Sequence, residues 1–130
     1  MNYLKTLKPT LVEFRLIDIR RQYSYYRKRF FGNRVPPIEF VAILFVSPKY
    51  MKQHFGVSNK DYGFYVERDM EAFFIGLNDT QERFESYRTL LHEMAHISID
   101  RKFKRVMGHG RHWKNEMKRL SNAGAYNLLW

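Results

Sequence analysis

Residues 89–99 read Thr-Leu-Leu-His-Glu-Met-Ala-His-Ile-Ser-Ile, an H-E-x-x-H box inside an apolar run. Residues four apart on a helix stack on one face, so the imidazoles of His92 and His96 can reach a single metal ion. Glu93 then stands beside a water on that metal and can take its proton. Zinc suits the pattern because it favours imidazole ligands and keeps one position open in catalytic sites. The alternative, two hydrogen-bonded core histidines, is hard to satisfy without a metal.

The helix that carries the box is predicted to run from Thr80 to about Lys102 and to be buried nearly all round. Asp79 followed by Glu82 resembles a capping box at its start. The apolar residues around the box are Leu90, Leu91, Met94, Ala95, Ile97 and Ile99. Histidines and a glutamate in such surroundings need partners, because an unpaired buried charge is costly.

An apolar stripe with gaps of three and four predicts a further helix from about Thr10 to Phe31. The stripe consists of Val12, Leu16, Ile19, Tyr23, Tyr26 and Phe30. Its tyrosines could stack on nucleic acid, but residues at helical spacing are expected to form core. Gly32-Asn33 ends the helix, and Pro36-Pro37 prevents it from resuming.

Three strands and a last helix complete the predicted elements. Residues 38–46 and 72–77 are rich in β-branched and aromatic residues, and a shorter strand covers 64–66 after a turn at 61–63. The strand at 72–77 is expected to form the sheet edge nearest the site, where an extended peptide could add. Residues 49–57 are ambiguous, and a final helix is expected from about His112 to Asn122.

Length and composition predict one compact domain over residues 1–130. The chain has 45% hydrophobic and 17% aromatic residues, which is ample for a core. It has no cysteine, so disulfides, thiolate metal sites and a cysteine nucleophile are excluded. No apolar export segment follows Met1, and no stretch is long enough to span a membrane, so a cytoplasmic location is expected.

The net charge of +10 and the pI of about 9.9 predict a polyanionic partner. Non-specific DNA or RNA is the first candidate, and anionic lipid is a distant second. Much of the positive charge lies in two clusters. The early cluster consists of Arg20, Arg21, Arg27, Lys28, Arg29 and Arg34. The late cluster consists of Arg101, Lys102, Lys104, Arg105, Arg111, Lys114, Lys118 and Arg119. The alternative is a solvated basic surface that serves solubility.

Two histidines leave zinc short of a ligand, and Asp100, His109, His112 and Glu116 are the downstream candidates. His109 lies between two glycines, which let the backbone turn sharply and return the imidazole beneath the helix. Glu116 follows His96 by twenty positions, as in thermolysin-like zincins. Asp100 could orient a ligand imidazole, although pairing with Lys104 on the helix surface is favoured.

The motifs TLLHEMAH at 89–96 and Gly-His-Gly-Arg-His-Trp at 108–113 resemble the SprT-like zinc metalloprotease family. Ile75-Gly76-Leu77-Asn78 resembles the strand that the family places before its metal helix. The resemblance covers roughly residues 70–120. The chain has no cysteine for the zinc ribbon that many members append, so it resembles the minimal form. It also has no match to the Trp-Asn-x-Arg pattern that often precedes that strand.

This resemblance implies an α+β, zincin-like single domain with an N-terminal helix, a small twisted sheet, the HExxH metal helix and a C-terminal helix. It implies that His92, His96 and His109 bind Zn²⁺ and that Glu93 is the general base. Trp113 would pin the ligand loop against the metal helix. The Spartan proteases of this family cut proteins crosslinked to DNA, so the resemblance implies a metallopeptidase with DNA-associated protein substrates.

Two other functions stay open from the residues. One is a non-proteolytic zinc amide hydrolase that uses the same box. The other is a nucleic-acid-binding module whose structural zinc is closed by His112 or Glu116 as fourth ligand. A peptidase also needs an oxyanion donor, for which Tyr62, Tyr65, Tyr126, His112 and Arg111 are candidates.

Overall fold

Four α-helices and a three-stranded sheet make up the described part of the chain. The structure, a computed structural model, describes residues 11–55, 63–69, 71–127 and 129. The elements are α1 (Leu11–Tyr26), β1 (Val41–Val46), α2 (Pro48–Phe55), β2 (Gly63–Arg68), β3 (Ala72–Asn78), α3 (Arg83–Phe103) and α4 (Arg111–Asn122). The predicted α+β class is confirmed. No helix among these residues has the length and apolarity needed to cross a membrane.

From Leu16 onward the stripe on α1 faces the core, as the helical spacing predicts, whereas the side chain of Val12 lies outside the described part of the chain. Ile19, Tyr23 and Tyr26 are buried, and the Tyr23 hydroxyl donates to the Pro36 carbonyl over 2.6 Å. The helix continues as a π-helical turn over Arg27–Phe31 and is stopped at Gly32, whose φ of 56° favours glycine. These two tyrosines are therefore core residues rather than a stacking surface for nucleic acid.

The sheet has the order β1-β3-β2, with β1 parallel and β2 antiparallel to β3. The prediction that residues 72–77 form a sheet edge is wrong, because β3 is the central strand of the described sheet. Its last four residues are all buried, as both faces of a covered central strand require. The edge nearest the three histidines is β2, where the Tyr65 ring lies 6.1 Å from the His96 ring.

Two segment boundaries differ from the prediction. Residues 38–40 form a 3₁₀ turn, with the Phe40 N–H donating to the Pro37 carbonyl, so the strand begins only at Val41. The ambiguous segment is helical as far as Phe55, because Pro48 suits a first helical turn and the Ser47 hydroxyl accepts from the Tyr50 N–H; residues 56 and 57 lie outside the described residues. Of the turn predicted at 61–63, residues 61 and 62 lie outside the described residues.

The long helix α3 passes through the core and is buried over most of its length. It starts at Arg83 rather than Thr80, because the capping box is formed by Glu82 and Glu85 and not by Asp79 and Glu82. The Asn78 side chain instead holds the preceding turn by accepting from both the N–H and the hydroxyl of Thr80. The helix ends at Phe103, and the next residue, Lys104, caps it in a left-handed conformation with a φ of 56°.

Candidate metal centre

Three imidazoles converge at one point on the surface of α3. The Nε2 atom of His96 lies 3.1 Å from that of His92 and 2.9 Å from that of His109, and the third separation is 3.3 Å. Three nitrogens bound to one tetrahedral zinc at about 2.0–2.1 Å would lie about 3.3 Å apart. The three histidines could therefore hold a metal ion.

The electrostatic state of the rings also suits a cation. Burial, reinforced by the neighbouring imidazoles, lowers the pKa of His96 to about 3, and burial also lowers the pKa of His92. Both rings are consequently neutral at physiological pH. Neutral imidazole is the form that binds a metal, so protons compete weakly for these nitrogens.

The connection between α3 and α4 brings His109 to the other two histidines. Gly108 has a φ of 65°, which favours glycine, and Gly110 precedes the first residue of α4. The sharp turn predicted from the two glycines is therefore present. Beneath it, the Trp113 ring lies 4.9 Å from the ring of His92, 5.2 Å from that of His96 and 4.6 Å from that of His109. Trp113 packs between the ligand loop and the core, in the position predicted for it.

Glu93 shares a cleft of about 1060 Å³ with the three histidines. Its side chain follows His92 on α3 and is 5% exposed. The opposite walls come from Gly63 at the start of β2 and from Lys118 and Tyr126 in the C-terminal region. The cleft thus combines three histidines that could bind a metal ion, a carboxylate and open space beside an edge strand.

The SprT-like family model matches residues 19–128. The chain belongs to the SprT-like family. No curated protein and no solved structure gave a significant match.

Glu116 of this SprT-like domain lies away from the three converging imidazoles. One carboxylate oxygen accepts from Arg119 Nε at 2.5 Å and pairs with Arg34 at 3.3 Å, and the other accepts from the Ser98 hydroxyl at 2.5 Å. Burial would raise the pKa of Glu116, but the donors from Arg119 and Ser98 outweigh it and hold the pKa below its usual range. The carboxylate is 3% exposed and belongs to an ion cluster behind α3.

The other two candidate ligands are also placed elsewhere. His112 packs against Phe103, with 4.4 Å between the centroids of the tilted rings, and lines a second cavity together with Glu116. Asp100 is 1% exposed, and its Oδ1 accepts from the Met107 N–H over 2.9 Å. The favoured surface pair between Asp100 and Lys104 is therefore wrong, because the carboxylate turns inward to the loop that carries His109.

Only some of the candidates for an oxyanion donor lie in the cleft that contains the three histidines. Tyr126 lines the cleft, whereas the ring of Tyr65 stacks on His96 and His112 faces the second cavity. Tyr62 lies outside the described residues. Arg88 was missed from the sequence; it brings positive charge to the cleft wall together with Lys118 of the late basic cluster. Only its helical spacing, four residues before His92, could have indicated this position.

Proposed function

We propose that this SprT-like protein is a zinc-dependent metallopeptidase. The observation that carries the proposal is the convergence of three imidazole Nε2 atoms within 3.3 Å, in a cleft that also contains Glu93. His92, His96 and His109 would hold the zinc ion. When bound, zinc would polarise the scissile carbonyl and lower the pKa of a water to about 7.

Glu93 would act as the general base and then as the general acid. Its carboxylate takes a proton from the attacking water and passes it to the nitrogen of the leaving amine. Its position next to His92 on α3 keeps it beside the metal ligands through each step. Because the side chain is 5% exposed, bulk water does not screen its charge, which strengthens its interaction with the reacting groups.

An extended substrate would add to the edge of β2. This strand pairs with β3 on one side, and its first residue, Gly63, lines the cleft. Backbone hydrogen bonds to an edge strand bind a peptide without reading its sequence. This replaces the expectation that β3 would provide that edge.

The test of the activity compares wild-type protein with Glu93→Gln and with Glu85→Gln as the matched control. Glu85 lies on the same helix and lines the same cleft, but it serves the capping box. We expect about one zinc per chain in all three proteins, and a loss of peptide hydrolysis by orders of magnitude only in Glu93→Gln. Equal activity of Glu93→Gln and wild type would rule out Glu93 as the base.

A structural zinc in a non-enzymatic module would need a fourth protein ligand. His112 and Glu116, the two residues available for that role from the sequence, are not part of the converging group among the described residues. Their placement supports an open position and thus a catalytic metal. A non-proteolytic amide hydrolase would share the site, and it would retain zinc and Glu93-dependent hydrolysis of small amides but cleave no protein.

We also propose that nucleic acid holds the protein substrate near the site. Arg111, Lys114 and Lys118 are exposed on α4, and Lys118 also lines the cleft. Arg105 is exposed on the loop that carries His109. Such side chains can neutralise phosphates without reading bases, so DNA-associated proteins would be the substrates. Together with the net charge of +10, they favour DNA or RNA over other polyanions.

Charge reversal tests this second proposal. The double variant Lys114→Glu with Lys118→Glu should weaken DNA binding and DNA-stimulated cleavage together and leave the zinc content unchanged. The control variant reverses the charge of Lys49 and Lys52, two exposed lysines on α2, and so changes the net charge by the same amount. Binding should fall steeply with salt, with a slope of several phosphate equivalents. Absence of DNA and RNA affinity at low salt would exclude this role and leave the peptidase proposal standing.

A further inference from the structure

We propose that Asp100 is a positioning residue that fixes His109 for metal binding. The inference rests on the proposed metal site. Asp100 lies on α3 four residues after His96, so its side chain emerges one turn further along nearly the same face. The connection that starts at Lys104 and ends at Gly110 passes over this turn of the helix.

Three hydrogen bonds tie that connection to Asp100. Its main-chain carbonyl accepts from the N–H of Lys104 and, over 3.1 Å, from the N–H of Arg105. Its side-chain Oδ1 accepts from the N–H of Met107 over 2.9 Å. Met107 precedes His109 by two residues, so the carboxylate holds the chain immediately before the third imidazole.

This part of the loop buries few apolar side chains, so hydrophobic packing fixes its conformation only weakly. Lys104, Arg105 and Gly108 are exposed, and Val106 is 70% exposed. By contrast, Asp100 is 1% exposed, and its Oδ2 is buried with no hydrogen-bond partner in the described part of the chain. Burying a carboxylate costs free energy that an apolar side chain at this position would not incur. The hydrogen bond to Met107 is the interaction that a carboxyl group provides here and an apolar group cannot.

The anchor matters because, of the three converging histidines, His109 does not lie on α3. His92 and His96 are fixed by the helix, whereas His109 depends on the conformation of its loop. Ordering the loop before the metal arrives removes an entropic cost from binding. Loss of a group that orients a ligand typically weakens metal affinity by about 10–100-fold.

The experiment measures the zinc dissociation constant by competition with a chelator, using the wild-type chain and three variants of Asp100. Asp100→Ala and Asp100→Leu both remove the acceptor, and leucine keeps the branched shape of the side chain, so that no cavity forms at this buried position. Both should weaken zinc binding by about 10–100-fold. Asp100→Asn keeps an acceptor oxygen for the Met107 N–H. Because the loop then stays anchored, its zinc dissociation constant should remain within about threefold of the wild-type value.

Leu77→Ala is the control for a purely structural role. Leu77 is fully buried in β3, so truncation should lower the urea midpoint but leave the zinc dissociation constant of the folded protein unchanged. The inference is overturned if Asp100→Leu binds zinc like wild type, or if Asp100→Asn loses as much affinity as Asp100→Leu. Wild-type protein that binds no zinc would instead overturn the proposed function itself.

Discussion

Replacing Glu116 by alanine should destabilise the fold by about 3 kcal/mol without releasing the metal. The carboxylate receives two short hydrogen bonds, from Arg119 and from the buried Ser98 hydroxyl. Hydrogen bonds to a charged group contribute about 1.5 kcal/mol each at the lower end, which gives about 3 kcal/mol. The third partner, Arg34, is 54% exposed and adds little, because water screens such pairs.

Urea unfolding of the metal-free protein measures this loss. With a slope of about 2 kcal/mol per molar urea, the midpoint should fall by roughly 1.5 M. Glu71→Ala is the control, because it removes the same charge from an exposed turn and should leave the midpoint unchanged. The pKa of Glu116 lies below that of a free glutamate, so the difference between wild type and Glu116→Ala should shrink as the pH falls below about 4.5.

The zinc contents of Glu116→Ala and His109→Ala test whether Glu116, rather than His109, is the third zinc ligand. Glu116→Ala should retain about one zinc per chain, because the carboxylate is held by Arg119 and Ser98 behind the metal helix. If Glu116→Ala loses its zinc while His109→Ala keeps it, the thermolysin-like arrangement holds and the reasoning from the three imidazoles is refuted.

Three further outcomes follow from the geometry. His109→Ala should lose most of its zinc on desalting and remain folded, because its imidazole is exposed and lies on a loop. Metal-free protein should lose stability as the pH falls from about 6.5 towards 4. Burial lowers the pKa of His96 in the folded protein, so over this range the unfolded chain binds a proton at His96 and the folded protein does not. A urea midpoint that rises as the pH falls over this range would contradict this reasoning. Gly76→Ala should cost about 1–3 kcal/mol in urea unfolding, because the added methyl group overlaps the Phe64 ring. A midpoint equal to that of wild type would show that the ring moves aside freely.

The local features of the site were predictable because short-range geometry governs them. The i, i+4 spacing of His92 and His96 requires one helical face, and the glycines around His109 supply the sharp turn. The burial of α1 along its stripe also follows from helical periodicity. The family resemblance, carried by the same motifs, is confirmed over residues 19–128.

The wrong predictions concern interactions between segments distant in sequence. The apolar sequence of residues 72–77 predicts a strand, but it does not show that β1 and β2 pair on either side of it. Two of the three partners of Glu116 were equally hidden, because Ser98 lies 18 residues away in sequence and Arg34 lies 82 residues away. Asp100 has Lys104 at helical pairing distance, but the helix ends at Phe103 and the loop supplies a buried backbone donor instead.

The polar groups in the second half of α3 face three different surroundings. His92, Glu93 and His96 face the cleft, while Ser98, about 200° around the helix from His96, faces Glu116. Asp100 returns to the side of His96 and holds the loop. A polar group on any of these faces would be costly if left alone, so the stability of α3 and the assembly of the site depend on the same contacts. Metal loading should therefore stabilise the folded protein by mass action, most strongly in wild type and least in His109→Ala.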